Sequence, residues 1–205
     1  MQLSSRSFAP YAAIPAEFAF GKADPESGIA LAGNRNPHLH WWDAPTETMS
    51  FALVCVDPDA PTDKSKANTR EADIPVDFPR GGFYHWALAN LPANVDTIEE
   101  GVYSDGITPR GKATGLHAAG GLEGQNSYSM WFDGDADMEG VYGGYDGPCP
   151  PFNDERVHGY HFTVYALDVP KLDLPEAFTA DQLEEALAGH ILAQATLIGT
   201  YSTRS

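Results

Sequence analysis

Residues 49–56 read Met-Ser-Phe-Ala-Leu-Val-Cys-Val, an almost unbroken apolar run that stops at Asp57-Pro58. A run of eight residues is short for a helix. Bounded by turn residues, it predicts a strand buried on both faces. That constrains the fold strongly, because such a strand needs neighbours on both edges and packing layers above and below. Three further segments carry strand signals. Residues 83–91, FYHWALANL, mix aromatic and aliphatic side chains and stop at Pro92. Residues 126–134, NSYSMWFDG, alternate and end in a turn. Residues 160–168 alternate Tyr160, Phe162, Val164 and Ala166 against His161, Thr163, Tyr165 and Leu167.

The connections are long and polar. Residues 62–82, TDKSKANTREADIPVDFPRGG, and 104–125 are rich in Gly, Pro and charge. Loops of that length in a compact domain are functional or locally ordered by packing. The twenty glycines and sixteen prolines are spread along the chain, which suits many turns between short strands. Near the C-terminus the period changes. Thr179 followed by Gln182 forms a capping box, and Leu183, Leu187, Ile191, Ala195 and Ile198 recur at helical spacing, which predicts a helix from 180 through at least Leu197. Strands followed by a terminal helix imply a mainly β (α+β) fold. At 205 residues one domain, 1–205, is expected, with 62–82 as an insertion or rim loop.

The formal net charge is −17. A field of that sign repels phosphate backbones and anionic membranes, so neither nucleic acid nor membrane insertion is expected. Any bound anion needs local donors. The N-terminal segment MQLSSRSFAPYAAIPAEFAF has no basic region followed by an apolar stretch, and no apolar run approaches the roughly 20 residues of a spanning helix. Two cysteines, Cys55 and Cys149, make no disulfide framework. A soluble cytoplasmic protein with free thiols is the expectation.

The segment YDGPCPPFNDERVHGYHF, 145–162, admits three readings: Cys149 as a nucleophile, the histidines as metal ligands, or a stiff wall around a ligand. A nucleophilic Cys149 needs a base and a thiolate-stabilising cation or helix N-terminus, and PPFND indicates a rigid loop instead. The pairs His38/His40 and Asp154/His158 lack companions at zinc spacing. The stretch DGDADMEG, 133–140, places Met138 and Gly144 where a calcium loop requires Gly and Glu, and reads as a solvated acidic turn. GKATG, 111–115, lacks phosphate-loop spacing, and there is no G-x-S-x-G. In DPDAP, 57–61, two prolines stiffen a turn. Asp57 and Asp59 there either accept backbone N–H bonds, as turn aspartates do, or present a carboxylate to a ligand. No metal and no cofactor is called for.

Taken together, three blocks resemble the phosphatidylethanolamine-binding protein family, which includes Raf kinase inhibitor protein and small bacterial relatives. They are NRNPHLHWWDAPTETMSFALVCVDPDAPTD, 34–63; FYHWALANLP, 83–92; and YGGYDGPCPPFNDERVHGYHFTVYALD, 142–168. The order and spacing extend the resemblance from about Asn34 to the C-terminal helix. It implies a two-sheet antiparallel β-sandwich with a C-terminal helix beside a small preformed anion pocket. By position it assigns ligand binding to Asp57, His85, Gly147, Cys149, Pro150, His158 and Tyr160, with Asp59 and Pro61 as structural turn residues. The implied ligand is a phosphate or phosphoryl headgroup.

In such a site two imidazoles donate to the anion, Asp57 orients an imidazole or accepts from an ammonium, and loop N–H groups near Gly147 add uncharged donors. The chain departs from the family at Gly159, where an arginine is usual. A small-anion binding protein is the leading expectation. An inhibitor or scaffold of a partner protein, with 62–82 as its surface, is the second, and a homodimer is a further option. A hydrolase using Asp57 and His85 as an acid–base pair is the third.

Overall fold

A computed structural model describes residues 1–204. In chain order the elements are β1 (Gln2–Ser4), β2 (Gly21–Asp24), β3 (Gly28–Leu31), β4 (Leu39–Trp42), β5 (Ser50–Pro61), β6 (Arg80–Pro92), β7 (Thr97–Ile98), β8 (Gly115–Leu116), β9 (Leu122–Glu123), α1 (Tyr128–Trp131), β10 (His158–Leu167), α2 (Ala180–Leu187) and β11 (Ile191–Tyr201). A six-stranded antiparallel sheet runs β11-β10-β5-β6-β9-β8, a smaller one runs β1-β4-β7, and β2-β3 form a hairpin.

The apolar run at 49–56 becomes β5 at the centre of the large sheet, with β10 on one edge and β6 on the other. Its alternating side chains feed two separate cores, as the period of a strand demands. Phe51, Leu53 and Cys55 join Trp86, Leu88, Phe162 and Val164 on one face, where Leu39, Trp41 and Ile98 of the small sheet cover them. Ala52 and Val54 face the other way, against Phe178, Leu183 and Leu187 in and beside α2. Small residues on that second face let the helix lie close to the sheet.

Two expectations for local structure fail. The terminal helix stops at Leu187 rather than running through Leu197. Thr179 caps it as predicted, with Gln182 N–H donating to Thr179 Oγ1 at 3.3 Å and Thr179 N–H donating to Gln182 Oε1 at 2.9 Å. Gly189 then takes φ +85°, which ends the helix, and residues 191–201 pair along β10 from Leu167 to His158. The open strand edge of β10 outweighs the helical spacing of Ile191, Ala195 and Ile198. Residues 126–134 form the single turn α1 instead of a strand. Tyr128 and Phe132 stack at 5.7 Å and Met130 is exposed, so the apolar spacing there is three and four residues, not two.

No helix among the described residues is long and apolar enough to cross a membrane. Cys55 is buried, Cys149 is half-buried, and both are free thiols. Phe162 is fully enclosed in the core between the two sheets. Phe162→Ala is expected to cost about 3–5 kcal/mol in urea denaturation. Leu116→Ala, at an 87% exposed position, is expected to stay within about 0.5 kcal/mol of the parent.

Candidate functional site

A cleft of about 230 Å³ opens where β5, β6 and β10 meet α1 and the loop at 142–157. Asp57, His85, His158 and Tyr160 form its polar floor. Cys149, Pro150 and Pro151 make one wall, and Phe83, Tyr128, Met130 and Trp131 make another. Thr62, Lys64 and Gly82, from the two ends of the 62–82 segment, stand at the rim.

The floor begins with a fault in the sheet. Instead of leaving β5 as a turn, DPDAP stays paired with β6. Asp57 sits opposite Phe83 and Ala60 opposite Gly81, so β5 holds one residue more than its partner across that interval. Such a bulge re-aims side chains. Here Asp57 Oδ1 accepts the Asp59 N–H at 2.8 Å, and Asp57 Oδ2 accepts from His158 Nδ1 at 2.7 Å. Asp57 is 3% exposed and His158 is fully buried.

His158 does not stop at Asp57. Its Nε2 donates to Asp154 Oδ2 at 3.0 Å, four residues back along the chain. Asp154 in turn takes a fork of two bonds from Arg80, at 2.5 and 3.0 Å, and the Arg156 N–H at 2.9 Å. Burial alone would lower the His158 pKa. The hydrogen bonds and charges of Asp57 and Asp154 outweigh burial and raise it, so the ring is an imidazolium with both N–H groups donated to carboxylates. Burial likewise works against the Asp154 carboxylate, yet Arg80, the Arg156 N–H and His158 hold its pKa below the ordinary value.

Asp59 completes the cluster, with Arg156 Nε at 2.9 Å and the Gly159 N–H at 2.8 Å. Three carboxylates thus meet three cations. Arg156 follows Asp154 in the loop before β10, and the second arginine, Arg80, reaches the cluster from β6.

His85 is held by a different device. Its Nδ1 lies 2.7 Å from the Asp146 carbonyl oxygen, and the Asp146 N–H donates to the His85 carbonyl at 3.0 Å. A carbonyl only accepts, so the proton sits on Nδ1, and in the neutral ring Nε2 is an acceptor. Nε2 has no hydrogen-bond partner among the described residues. Burial lowers the His85 pKa against the opposing charge of Asp57. Asp146 is fixed by its own side chain. Asn34 Nδ2 donates to it at 2.7 Å, Asn126 Nδ2 at 2.8 Å and Lys112 Nζ at 2.9 Å.

Tyr160 is fully buried, its ring 5.1 Å from that of His85, and its hydroxyl has no partner among the described residues. Burial pushes the Cys149 thiol up to about 12, so it stays protonated in the cleft wall.

The structure gathers Asp57, His85, Cys149, Pro150, His158 and Tyr160 around one cleft and leaves Gly147 behind it. The Gly147 N–H donates to Asn34 Oδ1 at 2.8 Å, and its carbonyl accepts from Tyr128, so it offers a ligand nothing. His158 lines the floor, and both of its ring N–H groups, expected to face an anion, are given to Asp57 and Asp154. Asp59 and Pro61 lie in the bulged strand rather than in a free turn. The aromatic wall from α1, the rim Lys64, and the supports Arg80, Asp146 and Asp154 carried no sequence signal for this role. Only Asp154/His158 had stood out as a pair, and it proves to be an ion pair.

The comparisons with known proteins agree with this architecture. A family model described as phosphatidylethanolamine-binding protein matches residues 4–202. A UPF0098 protein of Methanothermobacter thermautotrophicus is 35% identical, covering 82% of this chain and 83% of its own. The UPF0098 protein YbhB of Escherichia coli is 31% identical over 86% and 87%. Among solved structures, Escherichia coli YbcL, described as a new member of the mammalian PEBP family, is similar in fold with a TM-score of 0.69 at 24% identity over 98% and 97% of the two chains. CT736 of Chlamydia trachomatis, a homolog in that family, gives 0.61 at 31% identity over 98% and 96%.

Two outcomes follow from the charge cluster. Arg80→Met leaves Asp154 buried without its fork and is expected to cost about 3–5 kcal/mol in denaturant unfolding. The second concerns pH. His158 has a folded pKa above its ordinary 6.5, so its contribution is complete below that value and is lost as pH rises through the folded pKa. Glu123, pushed up to about 7 by burial, also loses stability with rising pH, but between 4.5 and about 7. The fall that His158 contributes is therefore expected to begin above its ordinary 6.5, and His158→Gln is expected to remove that component from the pH profile of unfolding.

Proposed function

The chain belongs to the phosphatidylethanolamine-binding protein family, and on that premise we propose that its cleft binds a small phosphoryl-type oxyanion, as free phosphate or as a headgroup. The observation that carries this reading is the Tyr160 hydroxyl, wholly buried at the floor beside His85 with no partner among the described residues. An unmade hydrogen bond in a buried site costs about 1–3 kcal/mol, and a ligand oxygen removes that cost.

The dimensions support a headgroup rather than a larger molecule. Sites for drug-sized ligands run from roughly 300 to 1,000 Å³, and about 230 Å³ accommodates a few heavy atoms around phosphorus. The walls need little ordering on binding. Pro150 and Pro151 are conformationally fixed, and the 62–82 segment is tied down through Asn153, which accepts from the Asn68 N–H at 2.8 Å and donates to the Ala72 carbonyl at 2.7 Å. Lys64 is the one cation on the rim among the described residues, and the strongly acidic surface as a whole contributes no attraction. Phe83 and Trp131, 6.1 Å apart, offer an apolar wall to the carbon side of a phosphoester.

Tyr160→Phe separates binding from folding, because the hydroxyl has no protein bond to lose. The variant is expected to unfold at the same or higher temperature than the parent. It is also expected to bind inorganic phosphate more weakly by about 0.5–1.5 kcal/mol, read as a smaller thermal shift at equal phosphate. An equal shift in both proteins contradicts the reading.

A further inference from the structure

The polar floor of the cleft has more acceptors than donors. Asp57 is a carboxylate, and each of its oxygens accepts one protein N–H, leaving a lone pair on each. Its counter-ion His158 is shared with Asp154 and cannot turn to a ligand. His85 presents Nε2 as an acceptor, because Nδ1–H is held by Asp146. The only unpartnered donor among the described floor residues is the Tyr160 hydroxyl. A fully ionised anion set on this floor meets one O–H, one carboxylate and one imidazole lone pair. The carboxylate repels it, and the acceptors stay unsatisfied.

We propose that the cleft takes an oxyanion only in a form that carries its own proton: the ligand O–H donates to Asp57 while another ligand oxygen accepts from Tyr160. Hydrogen phosphate species and phosphomonoesters in their singly protonated form meet that requirement, whereas sulfate and phosphodiesters do not. The inference rests on the oxyanion reading above and adds its selectivity. A site built to accept a ligand hydroxyl rejects analogues lacking it, since its buried acceptors are then left bare.

The groups that face this proton come from every wall. They are Asp57 on β5, His85 on β6, His158 and Tyr160 on β10, Tyr128 on α1, and Cys149 and Asp146 in the loop, with Lys64 at the rim. Tyr128 donates its hydroxyl to Gly147, the Asp146 carboxylate is occupied by Asn34, Asn126 and Lys112, and Cys149 stays a thiol. Burial keeps His85 neutral against the pull of Asp57. The ligand is therefore the group that brings the proton.

The test uses the intact protein and three probes: inorganic phosphate, sulfate and dimethyl phosphate. Dimethyl phosphate has the single negative charge of a protonated phosphate but no O–H, so it isolates the proton from the charge. Isothermal calorimetry across pH, in buffers of different ionisation enthalpy, reads affinity and proton uptake together. Phosphate is expected to bind on both sides of its second ionisation, because H2PO4− and HPO4²− each keep an O–H to donate to Asp57, with no steep loss of affinity through neutral pH. Sulfate and dimethyl phosphate are expected to bind at least tenfold more weakly at every pH.

Asp57→Asn, which can donate, is expected to admit sulfate at least tenfold better; unchanged sulfate binding in a folded variant overturns the role of Asp57. The wild-type series decides alone if that variant does not fold. Sulfate or dimethyl phosphate binding within twofold of phosphate overturns the selectivity while leaving the oxyanion site standing. Sulfate binding with uptake of one proton also overturns it, because the proton then rides on His85. Absence of binding by all three probes overturns the oxyanion site itself.

Discussion

The buried chain of charges Asp57–His158–Asp154–Arg80 is the interaction on which the cleft depends. It joins β5, β10, the loop before β10 and the first residue of β6 at the end of the sheet where β5 bulges against β6 between Asp57 and Ala60. Such a cluster adds little net stability, because desolvation consumes most of the Coulombic gain. Its effect is geometric. With every ring nitrogen of His158 and every oxygen of Asp154 engaged, none of the four side chains can rotate without stranding a buried charge. The floor is rigid before any ligand arrives.

That rigidity decides what the floor can offer. An imidazolium enclosed by two carboxylates is a structural cation, not a ligand-binding one. The floor is left with the Tyr160 hydroxyl as a donor and the neutral His85 ring as an acceptor. His85 is positioned by an independent network through Asp146, Asn34, Asn126 and Lys112, which lies behind the cleft and fixes the ring through one peptide group. Two separate supports, one ionic and one largely of amide donors, leave a small floor on which acceptors outnumber donors. An acidic protein can hold an anion there only by local hydrogen bonding, since its overall field works the other way.

Much of this was legible along the chain, and the misses have physical reasons. The apolar run at 49–56 reads as a doubly buried strand, and FYHWALANL and YHFTVYALD read as further strands, as the structure has them. The Thr179/Gln182 box marked the start of α2 correctly, because capping is a local interaction between residues three apart. The end of that helix was not legible. Leu183, Leu187, Ile191 and Ala195 continue the helical period, and only the exposed edge of β10 explains why residues 191–201 become a strand. In α1 the ring of Tyr128 stacks on Phe20, a contact between segments far apart in sequence.

The sequence by itself determined that the chain is mainly β, that a rigid proline wall stands beside Cys149, and that Asp57, His85 and Tyr160 belong to one family of motifs. These follow from periodicity, from the fixed φ of proline and from motif order, all of them local or linear properties. Only the tertiary structure decided the roles. Whether a histidine donates to a ligand or to a carboxylate depends on which atoms lie within 3 Å of each nitrogen, and those atoms come from residues up to a hundred positions away. Asp57 reaches His158 across 101 residues and Arg80 reaches Asp154 across 74. No pattern within a segment encodes such a meeting, and that is why His158 became a buried counter-ion and Gly147 a backbone support.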